Sequence, residues 1–477
     1  MSSSSTKTLR VGLLTAIHHL DPRKAQDTDS MMVLRQIAEP PYLPTGNGIE
    51  LRPVLFETAL EQDGPTAGTL RARVRSGLVF SDGKPLTATD IVASLSKASI
   101  VEENAQVQAQ GDDVIFTLKR PNARLELSLS HLQCCVHRFD SRGTLIGSGP
   151  FMMAPGSTFK DLRLVRNPHY PGVVPLDEIH FQTFSLDADG RASALRRALQ
   201  NGDVDLSTAL PREDISELSG VRKSFQPALS TASLFLNHRS PRLRNARIRQ
   251  AIGLGLDRLE VARQCYSNPI AFRAVSLLPR GFQAVDEAIA FDRDRAKALI
   301  RQLAPPEVPK ELSLLIIWAP RTYLPNPLAV AENVKQQLQE LGIEVVLHTT
   351  SNAAEFSNKI IEGGHDLVLA GWTADTLEVC DFLEALLASD RIPNPANIAV
   401  SNNAGNYQSA EMDRLIREYR AERRPETLAG ISRLLQEDVP LVPLLYGASA
   451  VVMSFRVLGF QTSPLLVFSL AELDLRA

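Results

Sequence analysis

The chain has 477 residues, 44% of them hydrophobic and 22% charged, with a formal net charge of -3. That length exceeds one ordinary core and leaves room for about three domains, and the composition excludes a disordered or fibrous chain. The charge offers no broad attraction to nucleic acid or anionic membranes, and no window reaches the ~18 apolar residues of a spanning helix.

Met1 is followed by Ser2 to Ser5, Thr6 and Lys7, and a strand-like run begins by Leu9. This start lacks the apolar core of a secretory signal and a lipid-attachment cysteine, so a cytoplasmic location is expected for the chain as numbered. The four cysteines, with Cys134 and Cys135 adjacent, make no disulfide framework and fit a reducing compartment.

From 51 to 118, short alternating segments are separated by Gly, Pro and Asp, the pattern of a small α+β unit. Asp82-Gly83 supplies a turn there, and Thr89 or Asp90 is placed to cap a helix over 90–97. His131, Cys134, Cys135 and His137 cluster next. A strand aligns His131, Cys135 and His137, whereas a helix aligns His131, Cys134 and Cys135. Neither spacing is a standard zinc pattern, so packing residues are expected and no metal or other cofactor is implied.

A helix over 191–201 leads through the turn Gly202-Asp203 into a strand, and Asn245 caps a helix over 247–256. Residues 312–317 form a short apolar strand. Val330, Val334, Leu338 and Leu341 then share one helical face, which Gly342 ends. A strand over 343–347, a helix over 353–361 and a strand over 365–370 follow, and 439–453 reads as a buried strand region. Strands alternating with amphipathic helices imply a mainly parallel sheet.

Eight segments, in order, carry a resemblance: FSDGKPLTATDIVASL (80–95), GSGPF (147–151), LVRNPHY (164–170), ALQNGDVDL (198–206), LFLNHRSPRLRNARIRQAIGLGLDR (234–258), AENVKQQLQELGIEV (331–345), HDLVLAGWTAD (365–375) and EDVPLVPLLY (437–446). Together they resemble family 5 of the substrate-binding proteins of ATP-driven (ABC) importers, whose members take peptides, dipeptides or nickel. The resemblance implies an α/β fold of the type II periplasmic-binding-protein kind. It would have two main lobes with parallel-type mixed sheets, a smaller inserted α+β domain, and a hinge between the lobes. Domain I would comprise 1–45, 140–240 and 455–477, domain II 46–139, and domain III 241–454. The family is usually periplasmic or an extracytoplasmic lipoprotein. Its usual Asp-Pro after the GWxxD segment is replaced here by Glu378-Val379.

Ligands of open parallel sheets sit beyond the carboxyl ends of the strands. Residues 318–321 follow one predicted strand and 371–375 another, which places Arg321, Asp375 and both tryptophans, Trp318 and Trp372, along one rim. An arginine fork suits a carboxylate and an aspartate suits an ammonium group. In dipeptide-binding relatives the arginine matching Arg321, in a stretch that reads Arg321-Thr322-Tyr323-Leu324-Pro325-Asn326 here, grips the ligand carboxylate. The aspartate matching Asp375 grips the α-amino group. Arg321, Tyr323, Trp318, Trp372 and Asp375 are therefore the expected ligand residues, the alternative being a surface arginine and a loop-capping aspartate.

Motifs for catalysis are poor. Ser94 to Lys97 and Ser157 to Lys160 each fit S-x-x-K, but no K-T-G or S-D-N accompanies them. The chain has no G-x-S-x-G, H-E-x-x-H or P-loop. The expectation is a monomeric binding protein that closes on a small zwitterionic, peptide-like ligand without chemistry, with an ABC permease as partner and no nucleic acid or membrane insertion. The alternatives are a cytoplasmic member of the same fold repurposed as a biosynthetic enzyme, and a ligand sensor.

Overall fold

The computed structural model describes residues 6–14, 17, 20–25, 28–45, 50–63, 68–119, 124–187, 191–208, 210–266, 269–279, 282, 290–317, 321–374, 376–397, 401–461 and 469–476. The chain divides into two compact units, one made of 1–226 with 449–477 and the other of 227–448. It therefore passes between them twice.

In the first unit, β1 (Thr8–Leu13) is flanked on both sides by parallel partners, and helix α1 (Thr28–Ile37) follows it. Its Leu9, Val11 and Leu13 pack with Met32, Val33 and Ile37 of that helix in one apolar cluster. Residues 42–136 build a separate core around Tyr42, Phe56, Phe80 and Phe116, over an antiparallel sheet that includes Thr69–Arg73, Asp113–Leu118 and Ala105–Gln110. Helix α2 (Ala88–Leu95) lies in this part. Its N-cap is Thr87, two residues earlier than Thr89. Asp90 acts from the third helical position, where its carboxylate accepts the Thr87 N–H at 2.9 Å and the Thr87 hydroxyl at 2.6 Å.

Strand β2 (Leu162–Arg166) runs antiparallel to β3 (Glu178–Thr183), and β3 runs parallel to β1. The short β4 (Leu206–Ser207) lies on the other side of β1 and pairs antiparallel with Met453 and Val452. The Gly-Asp-Val-Asp turn ahead of β4 has a specific task. Asp205 is fully buried and holds the Arg10 guanidinium through two bonds of 2.9 and 3.0 Å, fixing β1 against β4.

In the second unit the strand order is β9-β5-β8-β6-β7, from β6 (Glu311–Ile316), β7 (Glu344–Thr349), β8 (Leu367–Thr373) and the parts of β5 (Arg222–Leu236) and β9 (Leu441–Met453) that fall within 227–448. β7, β6 and β8 are parallel, as the alternation of strands and helices implies, and β5 runs antiparallel to β8. Helix α3 (Ala246–Gly255) is capped by Asn245, whose side chain accepts the Arg247 N–H at 2.9 Å. Helix α4 (Pro327–Gln339) connects β6 to β7 and buries Val330, Val334 and Leu338. Helix α5 (Ala353–Glu362) connects β7 to β8. β8 runs three residues beyond its expected end at Ala370. Its cross-strand pairing continues through Gly371↔Ala232, Trp372↔Thr231 and Thr373↔Ser230.

Glu39, a buried carboxyl of the first unit, has no cation in direct contact among the described residues. Glu39 accepts the Tyr170 hydroxyl at 3.1 Å, and burial raises its pKa to about 7 despite that bond and the charge of Arg52. Because the folded pKa lies above the unfolded value, stability from this group is present at low pH and is lost as pH rises from ~4.5 to about 7. Replacing Glu39 by Gln keeps the acceptor for Tyr170 and removes the titration. Urea unfolding as a function of pH should show the variant gaining on the wild type by roughly 3 kcal/mol across that window. A constant difference would mean that Glu39 ionises normally.

Candidate functional site

The carboxyl ends of β6 and β8 carry most of the predicted residues. Trp318 and Asp375 lie outside the described residues. Arg321 to Leu324 form a closed turn in which Arg321 N donates to Leu324 O at 3.0 Å and Leu324 N to Arg321 O at 2.9 Å. Leu324 is fully buried, and Ala448 N at the end of the second unit donates to Thr322 O at 3.3 Å. Asn326 then caps α4, with Pro327 at its first position.

The Tyr323 ring rests on the sheet at Gly371, and its backbone passes close to Gly447. A Cβ on Gly371 of β8 would lie 2.6 Å from Tyr323 Cδ2 and 2.5 Å from Thr231 O. One on Gly447 of β9 would lie 3.2 Å from Tyr323 Cα and 1.9 Å from Ser230 Oγ. Glycine inside an apolar strand marks such a close approach, and this was the one signal in the sequence for the seat. Burial raises the Tyr323 phenol pKa even though the nearby charge of Arg321 pulls it down.

Trp372 points the other way. Side chains alternate along a strand, so with Gly371 facing Tyr323, Trp372 leaves the opposite face. Its cross-strand partner there is Thr231, whose hydroxyl donates to Leu277 O at 2.9 Å. The structure thus brings Arg321 and Tyr323 together and places Trp372 across the sheet from them.

The segment after β8 is held at both sides of position 375. Ala374 N donates to Leu229 O at 2.7 Å, and Thr376 Oγ1 bonds Asp381 Oδ2 at 3.1 Å. Helix α6 (Val379–Leu387) follows, capped by the buried Glu378, which accepts the Cys380 N–H at 2.8 Å. The other Glu378 oxygen pairs with Arg423, just after helix α7 (Ala410–Glu422). Buried Arg420 of α7 reaches Asp381 at 2.9 Å and Glu384 at 3.0 Å. Asn402 donates to Gly371 O at 2.8 Å. Nothing in the sequence pattern singled out Asn402, Arg420 or Arg423, because their partners are distant along the chain.

The His and Cys cluster lies in the first unit and is engaged otherwise. Cys134 packs in the core of 42–136, whereas Cys135 packs with α1 and β1. Burial pushes both thiols up, Cys135 to about 12, so neither is a thiolate near neutrality. His131 Nδ1 accepts the Gln133 N–H, and His137 Nδ1 lies 2.7 Å from Cys135 O. Among the described residues no group of three or more His, Cys, Asp or Glu is placed to hold a metal ion. None of their helices is long and apolar enough to cross a membrane.

This chain belongs to the bacterial extracellular solute-binding proteins, family 5, whose middle region matches residues 50–394. It is 26% identical over 418 residues to a probable D,D-dipeptide-binding periplasmic protein of Escherichia coli, covering 81% of this chain and 78% of that one. It is 24% identical over 332 residues to a dipeptide-binding protein of Pseudomonas aeruginosa, covering 67% of this chain and 59% of the relative. Among solved structures, HbpA2 from Haemophilus parasuis superposes with a TM-score of 0.82 at 19% identity, over 98% of this chain and all of the other. A dipeptide-binding protein from Pseudoalteromonas sp. SM9913, in complex with Met-Leu, superposes with a TM-score of 0.77 at 17% identity, over 98% and 100%. These likenesses show the α/β fold with its mixed sheets.

The structure gives Glu378 two roles, cap of α6 and counter-ion of Arg423. Glu378→Ala should therefore cost about 3 kcal/mol in urea unfolding, since it removes a helix cap and leaves Arg423 uncompensated in a largely buried position. A loss below about 0.5 kcal/mol, typical of exposed positions, would show that the pair contributes nothing.

Proposed function

We propose that this chain captures a small zwitterionic, peptide-like ligand without chemically altering it and hands it to an ATP-driven importer. Arg321 takes the ligand carboxylate and Asp375 its amino group, with Trp318 and Tyr323 as aromatic residues beside them and Trp372 bordering the site from the other face of the β8 end. The observation that carries this reading is the fixed turn at Arg321, set at the carboxyl end of the sheet in a chain of the solute-binding family. The names of the two curated relatives, which bind dipeptides, support the ligand class. The division into 1–45 with 140–240 and 455–477, 46–139, and 241–454 belongs to the same reading, as does closure of two lobes on the ligand.

Ala-Ala and its capped forms test the assignment of charges. Removing one partner of a desolvated charge pair costs about 2–5 kcal/mol, a loss of roughly thirtyfold or more in affinity. Asp375→Asn should weaken Ala-Ala by that factor and matter little for N-acetyl-Ala-Ala. Arg321→Ala should show the mirror pattern with Ala-Ala amide. Equal losses for capped and free forms in calorimetry would defeat the zwitterion assignment.

Closure has its own readout. Saturation with a ligand at ~100 times its dissociation constant adds about 2.7 kcal/mol of stability by mass action, and solution scattering should show the radius of gyration falling at the same time. An unchanged radius with a tightly bound ligand counts against closure.

A further inference from the structure

A strand at the edge of a sheet leaves a row of N–H and C=O groups unpaired, and proteins blunt such edges with charge, proline, bulges or shortness. The antiparallel sheet of the 42–136 core has two edges, and they differ. One is Glu61–Gln62, two residues long and charged. The other is Ala105–Gln110, six residues with neither a charge nor a proline.

Register decides which groups of the longer edge are free. The strand pairs with Asp113–Leu118, from Gln110↔Asp113 to Ala105↔Leu118, and one step further Lys119 N donates to Asn104 O at 2.8 Å. Bonded and non-bonded pairs alternate along an antiparallel ladder. Gln106, Gln108 and Gln110 therefore bond the neighbouring strand, and the main chains of Ala105, Val107 and Ala109 face outward. Among the described residues nothing bonds these outward groups. Side chains follow the same parity. Ala105 is buried in the core and Val107 packs on it only partly buried, whereas the three glutamines are exposed. Ile100, from the helical turn Ser99–Glu102 packed on this strand, is also only partly buried. The core is not closed at this rim.

Residues 105–109 read Ala-Gln-Val-Gln-Ala, the same in both directions. We infer that this strand is a docking edge for a second copy of the chain, paired antiparallel about a twofold axis at Val107. Val107 then meets its own equivalent, alanine meets alanine, and Gln106 meets Gln108. Every outward residue faces an outward residue, which gives about six backbone hydrogen bonds between the copies. The glutamine amides, each donor and acceptor, bond across the join. Beyond the palindrome, Glu102 of one copy would meet Asp112 of the other, and this like-charge contact confines the join. So short a join covers less than the ~1,000 Å² of a stable interface, so the association is weak and shows only at high protein concentration. It departs from the monomer expected from the sequence.

Sedimentation equilibrium of the full chain at roughly millimolar concentration should show monomer and dimer together. Gln106→Lys with Gln108→Lys sets like charges against each other twice, whereas Gln106→Lys with Gln108→Glu sets opposite charges there. Both pairs of changes lie on the exposed face and leave the ladder to the neighbouring strand intact. The dissociation constant of the first variant should exceed that of the second by about tenfold. Net charge alone gives the opposite order, because the first variant is closer to neutrality. Amide exchange followed by NMR supplies the second reading. Protection of Ala105, Val107 and Ala109 should rise with concentration, while that of Gln106 and Gln108 is already present in the monomer. A chain that stays monomeric, or a dimer indifferent to the charge pairs, overturns the inference. Outward amides protected at every concentration would mean that another segment of the chain covers the edge, and would overturn it as well.

Discussion

Where β8 ends, its backbone and the turn that follows β6 compete for the same space. Only the missing side chains of Gly371 and Gly447 let both fit. Any Cβ at Gly371 meets Thr231 O as well as the Tyr323 ring, so the cost falls on the sheet and on the turn together. Interiors packed at crystal density have no slack to absorb such a contact. The position of Arg321 is in this sense decided by atoms that are absent from two other strands.

The segment beyond β8 is secured by charge. Glu378, Arg423, Arg420, Asp381 and Glu384 join the start of α6 to α7 in a largely desolvated set of ion pairs. Such pairs return little net stability compared with apolar packing, but breaking one leaves a buried charge unpaired. The consequence is geometric. α6 has one low-energy way to leave the sheet, and its cap, Glu378, lies three residues beyond position 375.

Much of the second unit was legible because its strands are apolar runs and its helices show a clear periodic face. Val330, Val334 and Leu338 are buried on α4 as their spacing requires. The extension of β8 through Trp372 was not legible, since it depends on pairing with β5, more than a hundred residues away. Thr87 was missed as a cap because Thr89 and Asp90 satisfy the same local rule, and only the path of the chain decides among them. For the site, the residue types at the strand ends named Arg321. The relation of Tyr323 to Gly371 and Gly447 needed the fold, because residues brought together by a sheet share no local signature. The two faces of β8 are set by pleat parity, which separates Tyr323 from Trp372 although both adjoin the same glycine.

The twofold passage of the chain between its units has a consequence for synthesis. The unit that begins first must finish last: Leu206 and Ser207 pair with Met453 and Val452, and Val451, Leu470, Leu473 and Leu475 share a core with Leu9 and Val11. The other unit is contiguous from 227 to 448 and can complete itself as it leaves the ribosome. At ~5–20 residues per second, the edge of β4 then waits roughly twelve to fifty seconds for its partner. An unpaired edge is a template for wrong pairing. During that interval the nascent chain presents a bare strand and a half-built core, which is the state that a holding chaperone recognises.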